Sequence, residues 1–430
     1  MAKAVKGNRA ESQDWSDQSQ EIGRRARAAA RVLAAASTNT KNDALVAMAA
    51  ALRNSTDAII KENAADVAAG KAAGLSAALL DRLALTKDRI EKMARSLDEI
   101  ATLRDPVGEI IEGYKRPNGL QIMRLRVPLG VILAIYESRP NVTSDIAALC
   151  LKSGNAAILR GGKESLRSNL AIHKALSEAA TSQGLPADAL QMVDNPDRDL
   201  LAALLREDRW IDVVIPRGGE ELIRAVAEQS TIPVIKHYKG VCHVYVDELG
   251  DLDMAEAICF NAKVQRAATC NAMETMLVHK NVAARFLPRI CRRLAEAGVE
   301  LRGDERTRRV WPQAKPATEE DWYAEYLDLV LSIRIVDDIQ EAIDHIATYS
   351  SNHTDAIVSQ DLKHVQQFVR DVDSSSVMVN TSTRFSDGGE YGLGAEVGIS
   401  TDKLHARGPM GVRDLTTYKW VVYGNGQLRT

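Results

Sequence analysis

The sequence predicts an α/β fold made of two parallel-sheet domains and a small β-flap. Three observations carry that expectation. Short β-rich runs alternate with helical ones in two successive blocks, a purely helical stretch precedes them, and two extended segments belong to neither block. The helical stretch runs from Glu21 to about Leu103. It is Ala-rich, breaks near Ser37 to Asn42, and carries an apolar stripe at Ile90, Met93, Leu97 and Ile100, the spacing of one helix face. In the first alternating block strands are expected at 131–136, 156–160, 190–193, 211–215 and 232–235. In the second they are expected at 242–246, 273–279, 327–335, 356–359 and 376–380, with helices at 252–262, 282–297 and 339–350. The extended segments 120–127 and 416–423 are expected to pair into a flap that joins subunits.

With 430 residues, 45% of them hydrophobic, the chain can bury a large core in two or three domains. Its net charge of −3, from 55 basic and 58 acidic side chains, offers no global field for nucleic acid or a membrane, so any anion site must be local. The cysteines (Cys150, Cys242, Cys259, Cys270 and Cys291) are odd in number and lack CxxC spacing. That pattern fits a reducing, cytoplasmic setting and neither a disulfide scaffold nor a metal site. No run approaches the length of a membrane span.

The run 265–275 sets Cys270 among Thr269, Asn271 and alanines, after a helical run and before a strand-like one. A nucleophilic cysteine needs thiolate character, a carbonyl to attack and donors for the oxyanion, and a polar, small-residue junction can provide them. A lone cysteine is otherwise a small buried hydrophobe. Arg160, Gly161, Gly162 and Lys163 follow one expected strand, and Pro216, Arg217, Gly218 and Gly219 repeat that design after another. Each loop is either a tight turn with surface cations or a phosphate cradle. Two of them at neighbouring strand ends would line one crevice, the place of a nucleotide in an open α/β sheet. Neither is a P-loop, and GxGxxG is absent. The stretch 380–401 is dense in Gly, Ser and Thr and includes Arg384; Lys403, His405, Arg407 and Arg413 follow. This cluster is a solvated face or a receiver of phosphate or carboxylate. His237 is a base or a packed imidazole, and His345 and His353 are structural or loop-ordering.

Together the blocks 127–131, 137–143, 215–219, 242–247, 336–356 and 382–410 resemble the aldehyde dehydrogenase superfamily, and within it the branch that reduces acyl phosphates. The resemblance covers Glu21 to Lys419. It implies an aldehyde dehydrogenase-like fold and NADPH-dependent reduction of L-glutamyl 5-phosphate to L-glutamate 5-semialdehyde and phosphate. The route is a thioester on Cys270, and the step is the second of proline biosynthesis from glutamate. Asn141 is implied as an oxyanion donor, Glu325 as the grip on the nicotinamide ribose, and Arg139, Arg384, Lys403 and Arg407 as contacts for substrate or phosphate. Arg160 falls where relatives often have a lysine near the adenosine ribose, and Lys163 where NAD-preferring relatives have an acid. Two cations there favour the 2′-phosphate of NADP. His237 stands about where hydrolytic relatives carry a glutamate that activates deacylating water, which fits a thioester that must not be hydrolysed.

The domains implied are a disordered arm over 1–20, an NADP-binding domain over 21–118 and 137–245, a catalytic domain over 246–410, and an oligomerisation flap over 119–136 and 411–430. Expected partners are the small-molecule substrate, a second copy in a dimer or tetramer, and transient contact with glutamate 5-kinase as the source of so labile an acyl phosphate. Two alternatives are another semialdehyde or acyl-CoA dehydrogenase of the superfamily, and a non-catalytic nucleotide-binding scaffold.

Overall fold

The computed structural model of the chain describes residues 7–236 and 238–429. The chain divides into two compact units: Met1–Lys236 with Gly392–Gly398 and Met410–Thr430, and His237–Tyr391 with Ile399–Pro409.

The first unit begins with the expected helices. The helix Gly7–Leu33 covers most of the segment expected to be disordered, and Ser19 is buried with its hydroxyl 2.7 Å from Glu207. Residues 1–6 of that arm lie outside the described residues. The break near Ser37 is short, because the Ser37 side chain accepts the Thr40 N–H and starts the helix Thr38–Asn54. The stripe Ile90, Met93, Leu97 and Ile100 is buried on the helix Lys87–Thr102.

Two sheets follow. The antiparallel flap comprises β1 (Ile110–Lys115), β2 (Gln121–Pro128) and β16 (Thr416–Tyr423), in the order β1-β2-β16. The parallel sheet comprises β3 (Val131–Tyr136), β4 (Ala156–Gly161), β5 (Leu190–Met192) and β6 (Val213–Arg217), in the order β5-β4-β3-β6. The flap was expected to include residues up to 136, but the chain leaves it at Pro128. Gly130 then adopts φ +128, which suits glycine, and the apolar, fully buried β3 enters the parallel sheet. The strand expected at 232–235 is reduced to a single bridge between Val214 and Val234, since Pro233 has no N–H for a ladder.

In the second unit β7 (Cys242–Val246), β8 (Met273–His279), β9 (Glu300–Gly303), β10 (Lys315–Pro316), β11 (Val330–Val336), β12 (Thr354–Val358) and β13 (Ser376–Val379) form one parallel sheet, in the order β10-β9-β11-β8-β7-β12-β13. Because β7 belongs to this sheet, the expected domain boundary after residue 245 moves back to His237. The strand expected from residue 327 starts instead at Val330, since Leu327 has φ +53 and cannot extend. Alternation along the strands feeds both faces. Val244 and Met276 pack with Phe286 and Ile290, whereas Tyr245 and Leu277 pack with Ile343 and Phe368. Two-dipeptide strands β14 (Ile399–Ser400) and β15 (Gly408–Pro409) close a small loop. None of the described helices is long and apolar enough to cross a membrane.

Candidate active site

In the first unit the carboxyl ends of β4, β3 and β6 stand side by side, with Tyr136 opposite both Gly161 and Arg217 in the ladders. The two glycine-loop strands, expected as neighbours, are therefore separated by β3, and the loop after Tyr136 lies between the two glycine loops. That loop is tied to both. Glu137 Oε2 accepts the Gly219 N–H at 3.0 Å, and Glu164 Oε1 accepts the N–H and the hydroxyl of Ser138, each at 2.7 Å. These bonds hold Ser138 at φ +34. Side-chain carboxylates thus take one of the N–H groups that a bare phosphate cradle would offer.

Arg160 donates from Nη2 to the Pro196 carbonyl at 2.8 Å. Burial lowers its pKa while Glu164 opposes the shift. Its Nε is buried with no hydrogen-bond partner among the described residues, so the guanidinium keeps an unused donor in a desolvated place, which suits an anion. Lys163 and Arg139 are exposed. Asn141 opens the helix Asn141–Lys152, and its Nδ2 donates to Asp145 Oδ2 at 3.0 Å, one turn on. Burial raises Asp145 to about 6, with the Asn141 bond and the nearby Arg217 opposing. Arg217 itself stands 3.5 Å from Glu396.

In the second unit Cys270 lies on the turn between the helix Leu252–Val264 and β8, and it is partly exposed. The other four thiols are buried. Burial raises the pKa of each, pushing Cys291 up to about 12. The Cys270 turn is fixed from three sides. Asn271 donates from Nδ2 to the Ser386 carbonyl at 2.9 Å and accepts the Thr269 hydroxyl at 3.1 Å; Cys242 Sγ donates to the Cys270 carbonyl at 3.2 Å. Gly240 presses on the Cys270 backbone: a Cβ there would stand 2.6 Å from the carbonyl carbon and 2.7 Å from Cα. The Gly240 N–H in turn donates to Glu325 Oε1 at 2.9 Å.

Arg384 sits on the single turn Thr383–Phe385, with Nε donating to Gln265 Oε1 at 2.8 Å. Burial lowers its pKa, Arg266 adds to that, and the nearby Cys270 opposes it. The two segments are also tied directly, since Asn271 Nδ2 lies 3.4 Å from the Arg384 carbonyl. Lys403 and Arg407 both pair with the Asp373 carboxylate, with Arg407 Nη1 at 2.7 Å. The second unit thus brings Cys270, Glu325 and Arg384 into one network and sets Lys403 and Arg407 on another anion. His237 lies outside the described residues. Among the described residues no group of three or more His, Cys, Asp or Glu could hold a metal ion.

Residues 10–321 match the Aldehyde dehydrogenase family. The chain belongs to the aldehyde dehydrogenase family. Within that family it is 56% identical over 413 residues to the gamma-glutamyl phosphate reductase of Geobacter metallireducens, covering 96% of this chain and 99% of the other. The gamma-glutamyl phosphate reductase of Moorella thermoacetica is 55% identical over 407 residues, covering 95% and 97%. The crystal structure of gamma-glutamyl phosphate reductase from Thermotoga maritima, 45% identical, matches with a TM-score of 0.93 over 95% of this chain and 99% of that one. Aldehyde dehydrogenase-like architecture and a nicotinamide cofactor follow from this membership.

Two contributors were not singled out in the sequence. Asp145 was detectable as a carboxylate one helical turn beyond Asn141. Gly240 stood in view after Lys239, but nothing local signals that its missing side chain makes room for Cys270.

Proposed function

We propose that the chain reduces L-glutamyl 5-phosphate to L-glutamate 5-semialdehyde and phosphate with NADPH, the second step of proline biosynthesis from glutamate. The observation that carries this reading is the single partly exposed thiol, Cys270, on a turn pinned at Gly240 and Asn271 beside the Arg384 guanidinium. The Cys270 thiolate forms a bond to the acyl carbon, and the carbon–oxygen bond to phosphate breaks with its electron pair leaving on phosphate. Arg384 receives that oxyanion with a forked donor set. NADPH, when bound, supplies the hydride that reduces the thioester carbonyl. The resulting thiohemiacetal collapses to aldehyde and returns the electron pair to Cys270 sulfur. Asn141 Nδ2 and the Cys270 N–H are the oxyanion donors, and each such donor is worth about 10² to 10³ in rate.

The residues suit the cofactor. Arg160, with its unused buried donor, and Lys163 would take the 2′-phosphate, and Glu325 the nicotinamide ribose. The flap supports assembly into a dimer or tetramer, since Tyr114 on β1 and Tyr418, Trp420 and Val422 on β16 stand between 44% and 54% exposed. The unpaired cysteine set supports a cytoplasmic setting, where a kinase such as glutamate 5-kinase would hand over the labile acyl phosphate.

The test is NADP reduction by the purified protein given glutamate 5-semialdehyde, with and without inorganic phosphate, for the native chain and Cys270→Ala. Reduction that needs phosphate and vanishes in the variant is the expected result. Reduction indifferent to phosphate would replace this reading with an ordinary aldehyde dehydrogenase.

A further inference from the structure

Two charged residues bracket the nucleophile turn at its base. Lys263 is the penultimate residue of the helix that precedes the turn, and Glu274 is the second residue of the strand that follows it. Lys263 Nζ lies 2.6 Å from Glu274 Oε2, and both side chains are 0% exposed. Nothing in the mechanism above uses them.

The other carboxylate oxygen, Glu274 Oε1, accepts the Leu327 N–H at 3.3 Å. Leu327 holds φ +53, a conformation costly for a bulky residue, while its side chain is 40% exposed and cannot be what fixes it. Two residues upstream, Glu325 accepts the Gly240 N–H, and Gly240 packs on the Cys270 backbone. Between them Tyr326 bonds Asp321 at 2.8 Å and Ser332 at 2.7 Å, and its ring centroid is 5.9 Å from Lys263 Nζ. The contacts close a ring: Cys270 turn, Glu274, Leu327, Glu325, Gly240, and back to Cys270.

Stability does not explain the pair. Removing two charges from water is expensive, and replacing a buried ion pair by apolar side chains of similar volume is often neutral or stabilising. Burial indeed works against charge on both partners, raising Glu274 and lowering Lys263, with their mutual attraction opposing each shift.

We propose that Lys263 and Glu274 are positioning residues, whose ion pair clamps the base of the Cys270 turn and, through the Leu327 N–H, sets the segment carrying Glu325. This rests on Cys270 being the nucleophile. The pair keeps thiol and carboxylate in register so that attack and cofactor grip are served by one rigid ring.

The test compares native protein, Cys270→Ala, and the double variant Lys263→Met/Glu274→Leu, which leaves no buried charge behind. Melting temperature, the rate of Cys270 alkylation by iodoacetamide without cofactor, kcat, and KM for NADPH are measured. The double variant is expected to melt at or above the native temperature. Its kcat should fall about 10- to 100-fold, as a displacement near 1 Å would cause. Its KM for NADPH should rise and its alkylation rate change, because both ends of the ring are released. Native kcat and KM in the double variant overturn the proposal, as does a loss of stability that parallels the loss of turnover. Turnover retained in Cys270→Ala would instead remove the nucleophile assignment itself, so the two failures are distinguishable.

Discussion

Gly240→Ala introduces one methyl group where the Cys270 backbone already occupies the space. The new Cβ would lie 2.6 Å from the Cys270 carbonyl carbon, against 3.4 Å or more for an ordinary contact. The Cys270 carbonyl oxygen lies nearer still, so the two segments must part by more than about 0.8 Å, and all of these are backbone atoms, none the end of a flexible side chain that can swing aside. Overpacking of this kind costs about 1–3 kcal/mol. A shift near 1 Å of the nucleophile costs about 100-fold in rate. The movement also pulls on the Gly240 N–H bond to Glu325, so cofactor affinity should weaken together with turnover. Calorimetric melting, phosphate-dependent NADP reduction and NADPH titration measure the three effects. Gly219→Ala, where an added Cβ meets nothing within 4 Å, is the stability control. If Gly240→Ala melts like the native protein and turns over within threefold of it, the close approach does not fix the Cys270 turn.

Two further outcomes are expected. Burial raises Asp145 from its ordinary value to about 6, so the fold prefers its protonated form. Stability from this group is full below the unfolded carboxyl range and is lost as pH rises through about 6, whereas the ionised carboxylate is the stronger acceptor for the Asn141 N–H. Activity should therefore drop as pH falls through about 6, and Asp145→Asn should erase that acidic limb; an unchanged pH profile would contradict the role given to Asp145. Arg384→Ala removes the forked cation beside Cys270, and a charged hydrogen bond of about 1.5–3 kcal/mol corresponds to a rise of roughly 10- to 150-fold in KM for phosphate in the reverse direction. Calorimetry of NADP binding should show no change in that variant, and an equal loss in both would reassign Arg384 to the general integrity of the turn.

The parts of the fold written in local pattern were legible. The strands at 131–136, 242–246, 273–279 and 416–423 announce themselves through β-rich runs, and they end where the structure ends them. What escaped were features set by distant chain. The short β9 and β10 lack a strong run of their own; β9 is recruited by the edge of β11, and β10 in turn by β9. The start of β11 is delayed by the backbone conformation of Leu327, which Glu274 stabilises from 53 positions away. Cys270 was visible as a thiol among small polar residues, but its exposure relative to Cys242, only a carbonyl away, depends on packing. Lys403 and Arg407 were legible as cations, but their shared contact with Asp373, 30 and more positions upstream, has no local signal.

Strand β16 pairs along its whole length with β2, and Arg126 bonds Thr416 across 290 positions of sequence. During synthesis, then, β2 waits with an open edge while the entire second unit is made, and the first unit can close only after its sister has left the ribosome. A ladder so long delayed exposes unpaired N–H and C=O groups and flanking aromatics to other nascent chains in the meantime. Folding of this protein should consequently be paced by late, long-range closure and not by its helices, and truncation within 416–423 should yield an aggregating first unit even though every residue of its parallel sheet is present.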